Sequence, residues 1–295
     1  MNIFLTGATG FIGRHLLHSL KSEHTVHILV RPYTNLSEFD AEHIFVFNDN
    51  ILELSDYLVS NRIDGIVHLA SLYISQHKAE EIRSLCLSNI YLGTAILEAA
   101  KVAKIKWFLN TGTIWQHYIS DSLEYCPVNL YAASKQAFMD MAKYYIETTD
   151  IRFCTLKLCD TYGPGDTRRK IFALFEQIAL SGETLDMSLG NQKMDIIHID
   201  DVVSGFSCLI ELLDSNELIK DEYVLSSGER HTLKELATLY EKINGVELHI
   251  NWGGRSYRER EVMEPWKRGQ ILPGWQAKIS LQEGLAKISR FCGKE

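Results

Sequence analysis

Through about the first half of the chain, short β-branched or apolar runs alternate with longer segments whose apolar residues recur every three or four positions. This alternation predicts repeated βα units around a parallel sheet. Strands are expected over residues 2–5, 25–30, 43–47, 65–69, 106–109 and 152–158, and helices over 11–21, 52–60, 79–103 and 130–148. After Tyr162-Gly163-Pro164-Gly165 the alternation breaks, because turn-forming residues interrupt it. Residues 1–162 are therefore read as a doubly wound nucleotide-binding domain and 163–295 mainly as a smaller substrate-binding lobe. A return to the sheet is expected near 194–213, with 196–198 as its strand and 200–213 as a helix whose acidic start suits its dipole.

Composition narrows the class. The 295 residues suffice for one α/β domain with an appended lobe. With 46% hydrophobic and 23% charged residues, the chain is neither disordered nor fibrous. A net charge of -8 argues against nucleic acid or anionic membrane as partners, so an anionic substrate needs a local basic patch. Ile3-Phe4-Leu5 leads straight into a glycine turn, unlike a signal peptide, and no stretch is expected to reach membrane-spanning length. Six scattered cysteines (Cys86, Cys126, Cys154, Cys159, Cys208, Cys292) without a C-x-x-C pair predict no metal site and no disulfide framework, which fits a reducing cytoplasm.

Thr6-Gly7-Ala8-Thr9-Gly10-Phe11-Ile12-Gly13 directly follows the first strand and opens the first helix, the context of a Rossmann-type dinucleotide site. Gly7 allows the tight turn, Gly10 lets backbone approach a pyrophosphate, and Gly13 lets helix pack close to strand. The helix N-terminus offers its amides to the anion. Arg31 ends the second strand where an acidic clamp for the ribose 2′-OH usually stands in NAD-preferring sites. It suits a 2′-phosphate, favouring NADP(H) with NAD(H) possible, or is a surface arginine at a strand end. Asp49 either accepts from the adenine amino group or is a solvated loop residue.

Tyr131-Ala132-Ala133-Ser134-Lys135 places a phenol and an ammonium four residues apart on one helix face. The ammonium, added to the charge of an oxidised nicotinamide, is expected to lower the phenol pKa toward working pH, so that the phenol exchanges a proton with a substrate oxygen. Thr111-Gly112-Thr113 ends another strand at the carboxyl edge of the sheet, where Thr111 can bond the reacting oxygen. Together with the glycine fingerprint, these residues resemble the extended short-chain dehydrogenase/reductase (epimerase/dehydratase) family. The resemblance assigns Thr111, Tyr131 and Lys135 to catalysis, with Tyr131 and Lys135 also holding cofactor. It covers nearly the whole chain through His68-Leu69-Ala70, Asn89, Gly93-Thr94, Tyr162 to Asp166, and Asp195 to Asp201. It implies cofactor contacts at Leu69 and Ala70 and a substrate contact at Asn89.

Members that dehydrate nucleotide sugars carry Asp-Glu immediately after the catalytic Ser/Thr; here Gly112 and Thr113 stand there, which argues against dehydration. Arg168, Arg169, Lys170, Arg255, Arg258 and Arg260 break the acidic background. Lys170 and Arg258 are read as substrate contacts to a diphosphate, and Arg255, Arg260 and one of Arg168 and Arg169 as surface charges. Met194 replaces an arginine common in the family. Trp115 and Tyr118 either wall a sugar pocket or pack ordinarily. The run Arg258 to Met263, with Tyr162 to Asp166 and Lys170, is most similar to the CDP-abequose and CDP-paratose synthase branch.

The resemblance thus implies NADPH-dependent reduction of the C4 keto group of a nucleoside-diphosphate 4-keto-6-deoxysugar, with a CDP-linked sugar favoured. An NAD-holding C4 epimerase is the alternative. A third reading, a non-catalytic NAD(P) sensor, sits poorly with retained Thr111, Tyr131 and Lys135. The apolar faces of the helices over 79–103 and 130–148 match a homodimer interface in relatives, and core burial accounts for the same periodicity.

Overall fold

The computed structural model describes residues 1–36 and 42–289; Cys292 lies outside them. The first half runs β1 (Asn2–Thr6), α1 (Phe11–Leu20), β2 (Thr25–Val30), β3 (His43–Val46), α2 (Ile51–Ser60) and β4 (Gly65–His68). A helical stretch follows, in which α3 (Ile82–Cys86) passes through a π-helical turn at Leu87–Tyr91 into α4 (Leu92–Ala103). Then come β5 (Trp107–Thr113), α5 (Leu130–Thr148), β6 (Arg152–Leu158) and β7 (Asp160–Tyr162). The remainder comprises α6 (Ile171–Ser181), β8 (Leu185–Met187), β9 (Lys193–Met194), β10 (Ile196–His198) and α7 (Ile199–Ser215). It ends with β11 (Glu222–Leu225), β12 (His231–Thr232), α8 (Leu233–Asn244), β13 (Ile250–Trp252) and α9 (Leu281–Ile288).

Seven strands form one sheet in the order β11-β6-β5-β4-β1-β2-β3, every neighbouring pair parallel. The chain leaves β3 at one edge and comes back to β4 beside β1, so the crevice for a ligand opens outside the carboxyl ends of β1 and β4. One face is covered by α1 and α7, whose Leu16, Leu17, Phe206 and Leu209 pack on Ile3, Leu5 and Val67. The other face carries α2, α4 and α5 through Leu54, Ile96 and Phe138. A separate apolar cluster around Phe175, Leu236 and Leu285 is the core of the C-terminal lobe.

Two expectations need correction. Residues 196–198 do form a strand, but it pairs with β7 in a sheet of two. The strand that returns to the central sheet is β11, parallel to β6, and α7 covers the sheet ahead of it. Three apolar residues mark a strand without saying which edge is free to take it, and β6 is claimed by Tyr223 and Leu225, nearly fully buried. The second concerns membrane length: the stretch Ala79–Ala103 is long and apolar enough to cross a bilayer by length and composition, with mean hydropathy 1.2. Its apolar side is occupied within the fold, because Ala95, Ile96, Ala99 and Ala100 are buried against the sheet with α2 and α5.

Candidate active site

The glycine turn is shaped by backbone crowding on two sides and open on a third. Gly7 has φ +74°, and a Cβ there would lie 2.6 Å from the Ala70 amide nitrogen. At Gly13 a Cβ would lie 2.1 Å from the Gly7 carbonyl oxygen, so α1 packs against the turn with no room for a methyl. Gly10, by contrast, is exposed, and a Cβ there would meet only the Gly7 carbonyl, at 3.3 Å. It N-caps α1 without a side-chain cap, so the amides of Phe11, Ile12 and Gly13 head the helix free of a side-chain acceptor. A turn of this shape, beside Thr9, can cradle a pyrophosphate.

Across the crevice, Leu69 and Ala70 leave β4 tied to β1: the Leu69 amide donates to the Thr6 carbonyl and the Ala70 amide to Thr6 Oγ1, at 3.3 and 3.1 Å. Thr6 Oγ1 also bonds His68 Nδ1 at 2.9 Å. Burial, with the Lys135 charge added, pulls the His68 imidazole down to about 3, so it is neutral. Arg31 is exposed at the carboxyl end of β2, and Asp49 is exposed in the left-handed region (φ +66°) just before the Asn50 cap of α2.

Thr111, on β5, is 7% exposed and its hydroxyl has no hydrogen-bond partner among the described residues. A buried hydroxyl left open in this way is a feature that a ligand oxygen resolves. Gly112 beside it has no space for a side chain, since a Cβ would lie 2.8 Å from Thr155 and 2.9 Å from Lys157. Thr113 caps the following turn, accepting from the Trp115 amide. Neither position can present a carboxyl group.

Asn129 caps α5 by accepting from the Ala132 amide and donates to the Ser75 carbonyl, which fixes where Tyr131 leaves the helix. Burial pushes the half-buried Tyr131 phenol up to about 12, with the Ser71 hydrogen bond and the Arg168 charge opposing and the Asp160 charge adding. Lys135 is 2% exposed and burial brings its ammonium down to about 8. In the chain alone, desolvation of the phenolate outweighs the charges around it and the Tyr131 phenol stays protonated through the neutral range; the expected lowering draws also on the charge of an oxidised nicotinamide.

A cavity of about 570 Å³ opens between the sheet edge and the C-terminal lobe. Trp115 and Tyr73 stand at one wall with ring centroids 5.9 Å apart, and Tyr73 meets the Tyr131 ring edge-on at 5.1 Å. Arg255, Arg258 and Lys170 line it, and Met194 contributes an apolar surface. Arg168 is gripped by both Asp166 oxygens and lies 4.4 Å over the Phe11 ring. His15 reaches the Pro164 carbonyl, so the turn after β7 is docked on α1 next to the cradle.

Several expectations change here. Asn89 does not face the cavity: it is 1% exposed, its Oδ1 accepts from the Leu72 amide, and its Nδ2 donates to the Leu72 carbonyl and Ser134 Oγ. These bonds tie it to the loop that carries Tyr73. Lys170 reaches the cavity but is already paired with Asp160 at 2.8 Å. Arg255 lines the cavity and is not a mere surface charge, whereas Arg260 lies outside it, 4.2 Å over the Tyr118 ring. That contact also takes Tyr118 out of the sugar wall. Tyr73 and Asp160 were missed, since each sits at a loop or strand end with no pattern to mark it.

Comparison with known proteins agrees with this architecture. The family model for the NAD dependent epimerase/dehydratase family matches residues 3–224. A CDP-abequose synthase of Salmonella muenchen is 30% identical over 97% of this chain and 96% of its own. A dTDP-4-dehydro-6-deoxyglucose reductase of Escherichia coli is 24% identical over 97% of this chain and 96% of its own. Among solved structures, the UDP-glucuronic acid 4-epimerase from Bacillus cereus in complex with UDP-glucuronic acid and NAD superposes with TM-score 0.82. It is 22% identical, with 97% of each chain covered, a likeness of fold. Since the family model spans more than half of it, this chain belongs to the NAD dependent epimerase/dehydratase family.

Proposed function

We propose that the protein reduces the C4 keto group of a nucleoside-diphosphate 4-keto-6-deoxysugar, CDP-linked by preference, with NADPH. What supports this reading is a buried Thr111 hydroxyl without a partner among the described residues at the end of β5, a Tyr131 phenol at the start of α5 that burial keeps protonated, and positions 112 and 113 that offer no carboxyl. Ketone reduction consumes a proton, and Tyr131 is in the form that donates one. Thr111 and Tyr131 would hold the carbonyl oxygen between two hydroxyl donors, which stabilises the charge that develops there. Arg255 and Arg258 would take the diphosphate.

The cradle fits a dinucleotide: Gly10 leaves its outer side open, α1 presents amides free of a side-chain cap, and Leu69 and Ala70 would border the nicotinamide. When bound, the reduced nicotinamide supplies the hydride. Lys135, buried beneath the helix start, would hold the ribose and keep Tyr131 oriented. With deuterated NADPH the label should arrive at C4 of the sugar, one NADP⁺ being released per product. Epimerised sugar without net cofactor oxidation would establish the epimerase instead.

The cofactor preference rests on Arg31. NADPH should bind more tightly than NADH, and Arg31→Asp should reverse the order in a fluorescence titration. Equal affinities in the parent protein would remove Arg31 from the site. We also infer a homodimer through the helical stretch over 79–103 and α5, where Leu87 and Tyr91 in the π-helical turn and Met141 and Tyr144 on α5 are exposed. A cytoplasmic location fits the five free thiols among the described residues.

A further inference from the structure

We propose that Lys157 and His117 are positioning residues for substrate binding: with Trp266 they latch the strap over 255–268, which carries Arg255 and Arg258, to the central sheet. The consequence for substrate rests on the reading that those two arginines take the diphosphate. Lys157 lies on β6 with its side chain 2% exposed, and its ammonium has three partners. It donates to Glu222 Oε1 on β11 at 2.6 Å and to His117 Nε2 at 2.7 Å, and it lies 5.0 Å from the centre of the Trp266 ring. The rings of Trp266 and His117, both buried, stack with centroids 3.8 Å apart and planes at 9°.

An ammonium has donors only, so His117 Nε2 accepts and the ring proton sits on Nδ1, which donates to the Glu124 carbonyl at 3.0 Å. Burial, with the Lys157 charge added, brings the imidazole down to about 4, and the neutral ring is the form that the latch holds. The buried ammonium is thus met by a carboxylate, a ring nitrogen and an indole face. The exposed pairs of Lys267 and Arg268 with Asp121, at 3.7 Å, hold the same strap only weakly. Arg255, Arg258, Val262 and Pro265 of the strap line the cavity, and Trp266 comes next in the chain. Two further bonds set the meeting of strap and loop: Ser120 Oγ donates to the Pro265 carbonyl and the Trp266 indole to the Ser122 carbonyl, each at 2.7 Å. What joins this loop to β6 through side chains is His117 on Lys157. Without Nζ, His117 Nε2 is left buried and without its donor, and the ring under Trp266 is no longer held. Glu222, 31% exposed, is then met by water. The glycine turn is spared, because β5 and β4 stand between β6 and β1.

The test compares the parent with Lys157→Met, which keeps the stem and removes the ammonium, and with Lys157→Arg, which keeps charge and donors. In Lys157→Met, hydrogen exchange at amides 255–264 should quicken by about tenfold, and CDP should bind about tenfold more weakly by calorimetry. NADPH affinity should stay within about threefold, and KM for the keto sugar should rise with kcat nearly kept, since only the strap is loosened. Lys157→Arg should regain most of the CDP affinity. Trp266→Leu cuts the latch from the other side and should repeat the loss, which decides the matter if Lys157→Met does not fold. Parental strap exchange or parental CDP affinity in the variants would overturn the proposal, as would an NADPH affinity that falls as far as that for CDP. If the parent binds no CDP, the reading of Arg255 and Arg258 fails, and strap exchange still decides the latch.

Discussion

Tyr131→Phe should lower the rate of ketone reduction by about two to four orders of magnitude while leaving NADPH affinity within a few-fold of the parent. The substitution removes one hydroxyl and leaves the ring that packs edge-on against Tyr73 at 5.1 Å, so the cavity wall keeps its shape. What is lost is the proton delivered to the carbonyl oxygen and one of the two donors that stabilise its developing charge. Thr111 remains, which is why residual turnover is expected. Single-turnover decay of NADPH absorbance, with a parallel fluorescence titration of the cofactor, separates the two effects. A variant reducing its substrate at near-parental rate would remove Tyr131 as the acid.

Gly13→Ala carries the second large effect, this time on the cofactor. The added methyl would lie 2.1 Å from the Gly7 carbonyl oxygen and 2.7 Å from the Ala8 Cα, both backbone atoms that no rotamer change can move. Either α1 shifts outward or the turn opens, and both displace the amides at the head of the helix. Alanine's better helix propensity, about 1 kcal/mol over glycine, does not offset such a clash. NADPH affinity should fall by roughly a hundredfold or more, as follows from loss of close helix–strand packing at the third glycine. Calorimetry on the purified variant checks this, and unchanged affinity would show that the turn tolerates a looser helix.

Much of this could be read along the chain, for physical reasons that differ from element to element. Strands β2 and β6 and helix α5 have the expected boundaries because uninterrupted periodicity defines both ends. β5 runs past the apolar run at 106–109 to Thr113, the strand end expected at Thr111-Gly112-Thr113, and Asn110, Thr111 and Thr113 are polar yet buried. Burial of those side chains depends on neighbours in β6 and α5, which a local pattern does not contain.

The side chains of the site divide in the same way. The glycines and the Tyr-Lys pair are visible because their chemistry demands a fixed spacing. Asn89 misled because a lone polar residue in an apolar helix looks like a ligand, whereas here it holds the loop at Leu72 together across the π-helical turn. Trp115 and Tyr118 are close in sequence yet end in different surroundings, because the 3-10 turn Ile114–Gln116 and the bridge between His117 and Cys126 redirect the chain between them. Tyr73 reaches Tyr131, 58 positions further along the chain, a contact that only the fold creates.

The strand order has a consequence for how the molecule comes into being. β11 takes its place beside β6 only after α6, α7 and four short strands have been made, and Trp266 and Leu272 add their side chains to the same core later still. On the ribosome, the nucleotide-binding layer therefore lacks its last strand until the first part of the substrate lobe has been synthesised, and β6 waits with an unpaired edge. Two regions that look separable along the sequence thus share one folding event. Damage to the late segment is felt in the early one, and evolution can exchange the lobe's loops more readily than it can exchange the lobe.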